Sequence, residues 1–357
     1  MDITAETVRS APKALLHDHL DGGLRVATVI ELADVIGWTL PSNDADELQR
    51  WFTAGAASLD LLAYLATFDH TLAVMQCAEN IERIAREAVE DLAADGVVYA
   101  EIRYAPELHG IDPEASVEAI CVGIRTAEAA ASAAGTPIVV NVIVCAMRTE
   151  QRSLEIAQFV ERIRRRESKV VAFDLAGAET GWPPSLHADA LRFARQHQMN
   201  VTIHASEPPD LELISDALQH GAHRIGHGVR LQSDMTIGDD TVVNCGPLAR
   251  YVLDRRIHLE MAPTCHVHVG AVPNLESHPI AAMLRAGFNV GVNTDNRLMS
   301  DVMPSSELWN LHRTHGLTWS EMERLTVNAI ESSFAPWEER RRIIDNIVRP
   351  AYAAMVG

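Results

Sequence analysis

Short apolar runs alternate with longer amphipathic segments along this chain. Eight runs are rich in Val, Ile and Leu and have the length of buried strands: 14–20, 97–104, 137–147, 170–177, 200–206, 224–228, 257–263 and 289–295. The segments between them carry apolar residues at helical spacing, over 25–36, 59–94, 113–134, 151–167, 185–198, 211–220, 241–253 and 277–286. A strand followed by a helix, repeated eight times, predicts an α/β fold of the (β/α)8 TIM-barrel type.

Other segments predict helices outside this repeat. The first connection, 25–94, is long enough for more than one helix and is expected to fold over the mouth of the barrel, and 304–315, 320–332 and 336–355 read as closing helices. An open doubly wound sheet is the alternative, but Asp21-Gly22-Gly23 is not the glycine-rich turn typical of that fold. The length allows two domains or one large barrel. Because no linker or repeat divides the chain, we expect a single domain over 1–357.

Composition and charge narrow the class of protein. The chain is 47% hydrophobic and 22% charged, as in a globular protein with a large core. It has 49 acidic against 30 basic residues, and the formal charge of −19 disfavours nucleic acid and anionic membranes as partners while leaving a single nucleoside open. Scattered cysteines, an N-terminus unlike a signal peptide and the lack of a membrane-length apolar window predict a cytoplasmic protein. The sequence does not predict the oligomeric state.

Polar residues interrupt the apolar runs near their carboxyl ends, where barrels of this type place catalytic groups. They are His17, His19, Asp174, Gly177, His204, Glu207, His227, Glu260 and Asp295. Side chains alternate faces along a strand, so His17 and His19 point the same way while Asp18 points away. Together with His204 and Asp295 they bring three imidazoles and a carboxylate to one rim. This donor set suits zinc, with a further position left for water.

Two further strand-end residues, Glu207 and His227, are candidate catalytic groups. Zinc lowers the pKa of a bound water toward ~7, so hydrolysis is the expected class of reaction. His227 is a candidate either to accept the proton of that water or to hold the hydroxide in place. Glu207 follows a candidate ligand by three residues and is a candidate to protonate the substrate if burial raises its pKa.

Five ordered motifs resemble those of the adenosine deaminase family, within the amidohydrolase superfamily of metal-dependent barrels. They span nearly the whole chain and are Pro12-Lys13-Ala14-Leu15-Leu16-His17-Asp18-His19-Leu20-Asp21-Gly22, Asp174-Leu175-Ala176-Gly177, Thr202-Ile203-His204-Ala205-Ser206-Glu207, Arg224-Ile225-Gly226-His227-Gly228 and Val292-Asn293-Thr294-Asp295. The resemblance implies hydrolytic deamination of a 6-aminopurine nucleoside, adenosine or deoxyadenosine first, to the 6-oxo product and ammonia. Two-metal members of the superfamily need a carboxylated lysine at a strand end. The only lysines here are Lys13 and Lys169, which favours one zinc per chain.

The same resemblance implies roles for the residues around the metal. Glu207 would protonate N1 of the purine, which makes C6 electrophilic, and His227 would orient the attacking hydroxide. The metal ligands would be His17, His19, His204 and Asp295.

Residues that touch the substrate are implied in the same way. The backbone N–H of Gly177 would meet purine N3, Asn296 would meet N7, and Asp21 with His19 would lie near the ribose 5′-hydroxyl. A lid helix would cover the base with apolar residues at positions i, i+3, i+4 and i+7, although packing on the barrel explains that spacing equally well. These residues are Leu61, Tyr64, Leu65 and Phe68.

Some positions that are expected to contact the substrate depart from the family pattern. Ser206 replaces a usual Gly, Asn296 a usual Asp and Ala178 a usual Asp, and the loop 265–268 is rich in ligand-type side chains. Because an amide can donate to N7 without being protonated, the change at Asn296 is chemically tolerable. Two alternatives stay open: a deaminase of adenine or of a 5′-extended nucleoside such as aminodeoxyfutalosine, and a non-catalytic barrel that binds a nucleoside.

Overall fold

The structure is a computed structural model that describes residues 1–59, 61–238 and 241–356, without the side chains of Leu61, Leu62, Ala63 and Leu65. The strands among these residues are β1 Lys13–His19, β2 Val97–Tyr104, β3 Val139–Met147, β4 Val170–Ala176, β5 Asn200–Ala205, β6 Arg224–His227, β7 Met235–Gly238, β8 Thr241–Cys245, β9 His258–Met261 and β10 Val290–Val292. Eight of them form one parallel sheet in the order β1-β2-β3-β4-β5-β6-β9-β10. The predicted TIM-type barrel is confirmed.

The barrel closes between its first and last strands at residues that the sequence singled out. Asp18 and Asp295 form an isolated parallel bridge beyond β10. The backbone N–H of His19 donates to the carbonyl of Asp295 at 2.7 Å, and the N–H of Asp295 donates to the carbonyl of His17 at 3.0 Å. The side chain of Asp18 turns away from the ligands and accepts from Arg297 at 3.0 Å. Barrel closure and the candidate metal site therefore share the same backbone.

Helices surround the sheet, as the helical spacing predicts. They are α1 Ala5–Ser10, α2 Val26–Ile36, α3 Ala45–Ala56, α4 Leu61–Ala73, α5 Ala78–Ala94, α6 Pro113–Ala133, α7 Ser153–Ile163, α8 Ala188–Gln196, α9 Glu212–Gln219, α10 Pro247–Asp254, α11 Pro263–His268, α12 Ile280–Arg285, α13 Arg297–Ser300, α14 Pro304–His315, α15 Trp319–Ser332, α16 Trp337–Ile343 and α17 Arg349–Val356. The long first connection holds α2 to α5, and α14 to α17 follow the last strand. Within the described residues, no helix combines the length and the apolar character needed to cross a membrane.

The prediction of one helix over 241–253 is wrong. Its first part is β8, which pairs antiparallel with β7 so that Met235 lies opposite Cys245, and only Pro247–Asp254 is helical. The run Thr241-Val242-Val243 explains the difference, because β-branched residues favour strands over helices. Pro247 then stands in the first turn of α10, where a missing backbone N–H costs nothing.

Buried charges cross the lumen of the barrel. Arg103 on β2 pairs with Asp174 on β4 at 2.8 Å and with Glu260 on β9 at 2.7 Å, although these strands are not neighbours in the sheet. Arg224 on β6 joins Glu260 at 2.6 Å and Glu101 on β2 at 2.7 Å. All five side chains are almost completely buried. This network lies directly beneath the strand ends that carry the candidate site.

Candidate metal centre and active site

Four predicted ligands converge at the carboxyl ends of the strands. His17, His19, His204 and Asp295 each offer one ligand atom, and all four atoms lie within 4.8 Å of one another. Asp295 Oδ1 is 3.1 Å from His17 Nε2 and 3.4 Å from His19 Nε2, while the Nε2 atoms of His19 and His204 are 3.1 Å apart. The Nε2 atom of His17 is buried without a hydrogen-bond partner. This set of nitrogen and oxygen donors fits a zinc ion, which prefers such ligands.

Carboxylates behind two of the histidines orient them toward the common point. The Nδ1 atom of His17 is 2.9 Å from Glu260, and the Nδ1 atom of His204 is 3.1 Å from Asp174. An Nδ1–H that donates to a carboxylate leaves the lone pair on Nε2, which is the tautomer that binds a metal. Sequence reasoning placed Asp174 and Glu260 at strand ends but gave them no role.

Neighbouring basic side chains keep these two carboxylates ionised. Burial alone would raise the pKa of Glu260, but the guanidinium groups of Arg224 and Arg103 outweigh burial and hold that pKa well below its ordinary value. The pKa of Asp174 is likewise lowered despite burial, by His204 and by Arg103. Arg103 could not be predicted as part of the site, because it lies within an apolar run that is buried along its length.

Two donors hold the far oxygen of Asp295. Cys265 Sγ lies 2.9 Å from Asp295 Oδ2, and the amide nitrogen of Asn296 donates to the same oxygen at 2.8 Å. Oδ1 is thereby left facing His17 and His19. The loop 265–268, whose role the sequence left open, thus contributes Cys265 to the surroundings of the metal site. It forms the short helix α11.

The two candidate catalytic groups stand beside the ligands. Glu207 Oε1 is 4.0 Å from His227 Nε2 and 3.9 Å from Cys265 Sγ. The side chain of Glu207 keeps 30% of its surface exposed, so a substrate can reach it. Desolvation of its carboxyl and the nearby charge of Asp295 raise the pKa of Glu207 well above its ordinary value. This is the direction that a proton donor requires at neutral pH.

Glu179 fixes the loop that carries Glu207. Its buried carboxylate accepts the backbone N–H of Ser206 at 2.7 Å and that of Glu207 at 3.3 Å. The departure from the family pattern at Ala178 therefore leaves the neighbouring carboxylate in a defined structural role. Ser206, His227 and Asp295 all have left-handed backbones, with φ of 70°, 61° and 58°. Such strain at several strand ends is typical of functional sites.

We predict that Ser206→Gly stabilises the protein by about 1 kcal/mol, because a left-handed backbone costs an L-residue roughly this much net of the greater chain entropy of glycine. The hydroxyl of Ser206 is also buried without a partner. Ser206→Ala is the matched control, since it removes the hydroxyl and keeps the strain. Thermal unfolding should rank Ser206→Gly above Ser206→Ala, and the reverse order would refute the strain.

Candidate substrate residues surround the same opening. The Tyr64 hydroxyl accepts from the amide nitrogen of Asn296 at 2.8 Å, which brings α4 over the mouth, and the rings of Tyr64 and Phe68 pack edge-to-face at 5.4 Å. The side chains of Leu61 and Leu65 lie outside the described residues. Gly177 has a φ of 89°, a conformation that favours glycine at the end of β4.

Asp21 lies beyond the first strand, in the turn that follows it. The strand ends at His19, and Leu20–Gly22 forms a 3-10 turn. Asp21 is buried, one of its carboxylate oxygens has no partner, and burial raises its pKa to about 6. Gly22 makes room for the site, because a Cβ there would lie 2.0 Å from the amide oxygen of Asn296.

The fold, together with four donors positioned to bind a metal ion, defines a (β/α)8 barrel of the amidohydrolase kind. The adenosine deaminase family profile matches residues 12–350, and the chain belongs to this family. It is 48% identical over 359 aligned residues to a protein named adenosine deaminase from Mycobacterium marinum, with 99% of each chain covered.

Solved structures share the fold. An adenine deaminase from Arthrobacter aurescens superposes with a TM-score of 0.81 at 25% identity, covering 97% of this chain and 99% of that one. An amidohydrolase from Burkholderia ambifaria, solved with bound Zn, superposes with a TM-score of 0.84, covering 100% and 95%. At 23% identity the second likeness supports the fold alone.

Proposed function

We propose that this chain, acting as a single domain, deaminates adenosine and 2′-deoxyadenosine by hydrolysis, with one zinc ion per chain. The observation that carries the proposal is the position of Glu207, whose pKa is raised, next to four converging metal ligands and 4.0 Å from His227. The relative named adenosine deaminase, 48% identical along the whole chain, supports the choice of substrate.

The metal in this proposal is held by His17, His19, His204 and Asp295. When bound there, zinc would make a water nucleophilic at neutral pH. The unpartnered Nε2 of His17 and the carboxylates behind His17 and His204 support this assignment, because they leave lone pairs facing the cation. The presence of only two lysines, Lys13 and Lys169, supports a single ion.

In this proposal the side chains of the protein transfer protons to and from the purine and hold the attacking oxygen in place. Protonated Glu207 gives its proton to N1 while the oxygen of water bonds to C6. Of the two protons of that water, one returns to the Glu207 carboxylate and the other goes to the amino group, whose bond to C6 breaks so that it leaves as ammonia. His227 holds the attacking oxygen. The sum is adenosine plus water to inosine plus ammonia.

Recognition of the nucleoside rests on four further groups in this proposal. The backbone N–H of Gly177 meets N3, and Asp21 with His19 lies at the 5′-hydroxyl. Both protons on the amide nitrogen of Asn296 are engaged, by Tyr64 and by Asp295. Asn296 would therefore donate to N7 in place of the Tyr64 hydroxyl, and substrate binding is expected to shift Tyr64 on the lid helix together with Phe68, Leu61 and Leu65.

A substrate panel tests the proposed function. Zinc-loaded protein is incubated with adenosine, 2′-deoxyadenosine, adenine and aminodeoxyfutalosine, and the loss of the 6-amino chromophore is followed by ultraviolet absorbance. We expect the highest kcat/KM for the two nucleosides. Adenine is included because the adenine deaminase from Arthrobacter aurescens shares the fold at 25% identity.

The Glu207→Gln protein, purified in parallel, is the control for contaminating deaminases. A preference for adenine or for the 5′-extended nucleoside would refute the substrate assignment while keeping the reaction. Inactivity on every member of the panel, with zinc bound, would refute the proposed reaction and favour a barrel that only binds nucleosides.

A further inference from the structure

Three buried histidines form a row that leads away from the candidate active site. His227 Nδ1 lies 3.1 Å from His266 Nε2, and His266 Nδ1 lies 2.9 Å from His278 Nε2. At the far end, the backbone N–H of Ile280 donates to His278 Nδ1 at 3.2 Å. The three rings are almost completely buried. His266 belongs to α11, and His278 precedes α12.

The backbone N–H of Ile280 at the end of the row sets the direction in which the three histidines donate their hydrogen bonds. An N–H only donates, so His278 Nδ1 carries a lone pair and a neutral ring must hold its proton on Nε2. That proton is donated to His266 Nδ1, so His266 in turn holds its own proton on Nε2 and donates it to His227 Nδ1. The only nitrogen left to hold the proton of His227 is therefore Nε2.

The two rings behind His227, those of His266 and His278, are neutral, as this reasoning requires. Burial lowers the pKa of His278 to about 3, and His315 acts in the same direction. Burial likewise holds the pKa of His266 well below its ordinary value, with His278 and His227 acting in the same direction. A neutral ring in such a row can donate at one nitrogen only, which makes the direction unique.

His227 differs from the neighbouring ligands in what lies behind it. Its ring centroid is 4.7 Å from that of His17 and 5.2 Å from that of His204, so all three imidazoles crowd around one point. His17 and His204 have carboxylates at Nδ1 and present lone pairs at Nε2. His227 has another imidazole at Nδ1 and presents an N–H, which cannot bind a metal.

We propose that His266 and His278 are positioning residues that fix His227 in its Nε2–H tautomer, so that His227 donates to the attacking oxygen and is neither a metal ligand nor a base. The part that concerns the reaction rests on the proposed function, whereas the tautomer does not. Nε2 of His227 lies 4.0 Å from Glu207 Oε1, so the N–H of His227 faces the space beside Glu207, the group proposed to protonate the substrate. The sequence left two roles open for His227, accepting the proton of the water or holding the attacking oxygen in place. The row of histidines favours the second.

Nuclear magnetic resonance of the zinc-loaded protein tests the tautomer directly. The chain is labelled with ¹⁵N-histidine, and long-range ¹H–¹⁵N correlations distinguish protonated from unprotonated ring nitrogens. The signals of His227 are assigned by their loss in His227→Gln. We expect Nε2 to be protonated and Nδ1 not. A proton on Nδ1, or on both nitrogens, would overturn the proposal.

Two substitutions of His266 test the link to the reaction. His266→Leu removes both ring nitrogens of His266 and so breaks the row in its middle. We expect the His227 proton to move to Nδ1 or to exchange between Nδ1 and Nε2, with kcat reduced about 10- to 100-fold and KM for adenosine nearly unchanged. In His266→Asn the amide can donate to His227 while its oxygen accepts from His278, so this variant should keep the tautomer and lose less of kcat.

An unchanged His227 tautomer in His266→Leu would overturn the positioning role. If that variant does not fold, the wild-type spectrum and His266→Asn still decide the question, because either can show a proton on Nδ1. A wild-type protein with the expected tautomer but no deaminase activity would refute the proposed function alone.

Discussion

Glu207→Gln is expected to lower kcat for adenosine by about 10²- to 10⁴-fold, the range typical of the loss of a general acid, while zinc stays bound. Gln has the shape of Glu but no transferable proton, and residue 207 lies outside the four-residue ligand set. The raised pKa of Glu207 is the physical basis of the prediction, because the carboxyl must hold a proton at neutral pH before it can deliver one to N1.

Steady-state kinetics together with metal analysis by mass spectrometry check this prediction. Glu212→Gln is the matched control, because Glu212 is an exposed residue of the first turn of α9, a few positions further along the chain. It should leave both kcat and zinc content unchanged. Loss of zinc in Glu207→Gln would show that Glu207 is a ligand, and kcat within threefold of the wild type would show that another group protonates the purine.

The convergence of the three candidate histidine ligands could be predicted from strand periodicity and the topology of the barrel. His17 and His19 share a face of β1, and His204 ends β5. Parallel strands bring such ends to one rim of a barrel whatever the connecting helices do. Asp295 lies beyond its strand, but its closing contact with β1 returns it to the same rim.

Other parts of the site depend on packing that periodicity does not describe. Arg103 reaches across the lumen to two strands far away in sequence, and nothing in the run 97–104 distinguishes its side chain from a surface arginine. His266 lies in the short helix α11 and His278 lies just before α12, so strand periodicity gives no information about where their side chains point. The first strand, predicted over 14–20, stops at His19 and the chain turns at Leu20–Gly22, a boundary that the apolar pattern does not show.

The charge network beneath the candidate metal site gives the second large prediction. We expect Glu260→Gln to destabilise the protein by about 3–5 kcal/mol, the usual result of breaking a buried ion pair, and to weaken zinc binding about 10- to 100-fold. Glu260 accepts from His17 at 2.9 Å, from Arg103 at 2.7 Å and from Arg224 at 2.6 Å, and also from the hydroxyl of Thr202. A neutral amide leaves two buried guanidinium groups undercompensated, and its NH₂ group would face donors.

Glu307→Gln is the matched control, because the same substitution at another buried glutamate should have the opposite sign. Glu307 accepts from the backbone N–H of Thr264 at 3.0 Å, and burial raises its pKa to about 7. A raised pKa means that the folded protein holds the proton more tightly than the unfolded chain does. The stability of the folded state therefore falls as the pH rises from the ordinary pKa of glutamate to about 7. Gln removes that cost, and its unfolding temperature at pH 8 should equal or exceed that of the wild type.

Urea unfolding at pH 8 and zinc titration of the metal-free proteins measure both effects for Glu260→Gln and Glu307→Gln. If Glu260→Gln costs less than 1 kcal/mol, the arginines must relax toward other acceptors and the network is not a single unit. If stability falls but zinc affinity does not, Glu260 supports the barrel without orienting His17. If Glu260→Gln loses both stability and zinc affinity while Glu307→Gln stays stable, the Glu260 carboxylate has two roles. It balances the charge of the buried arginines, and it fixes the tautomer of the candidate ligand His17.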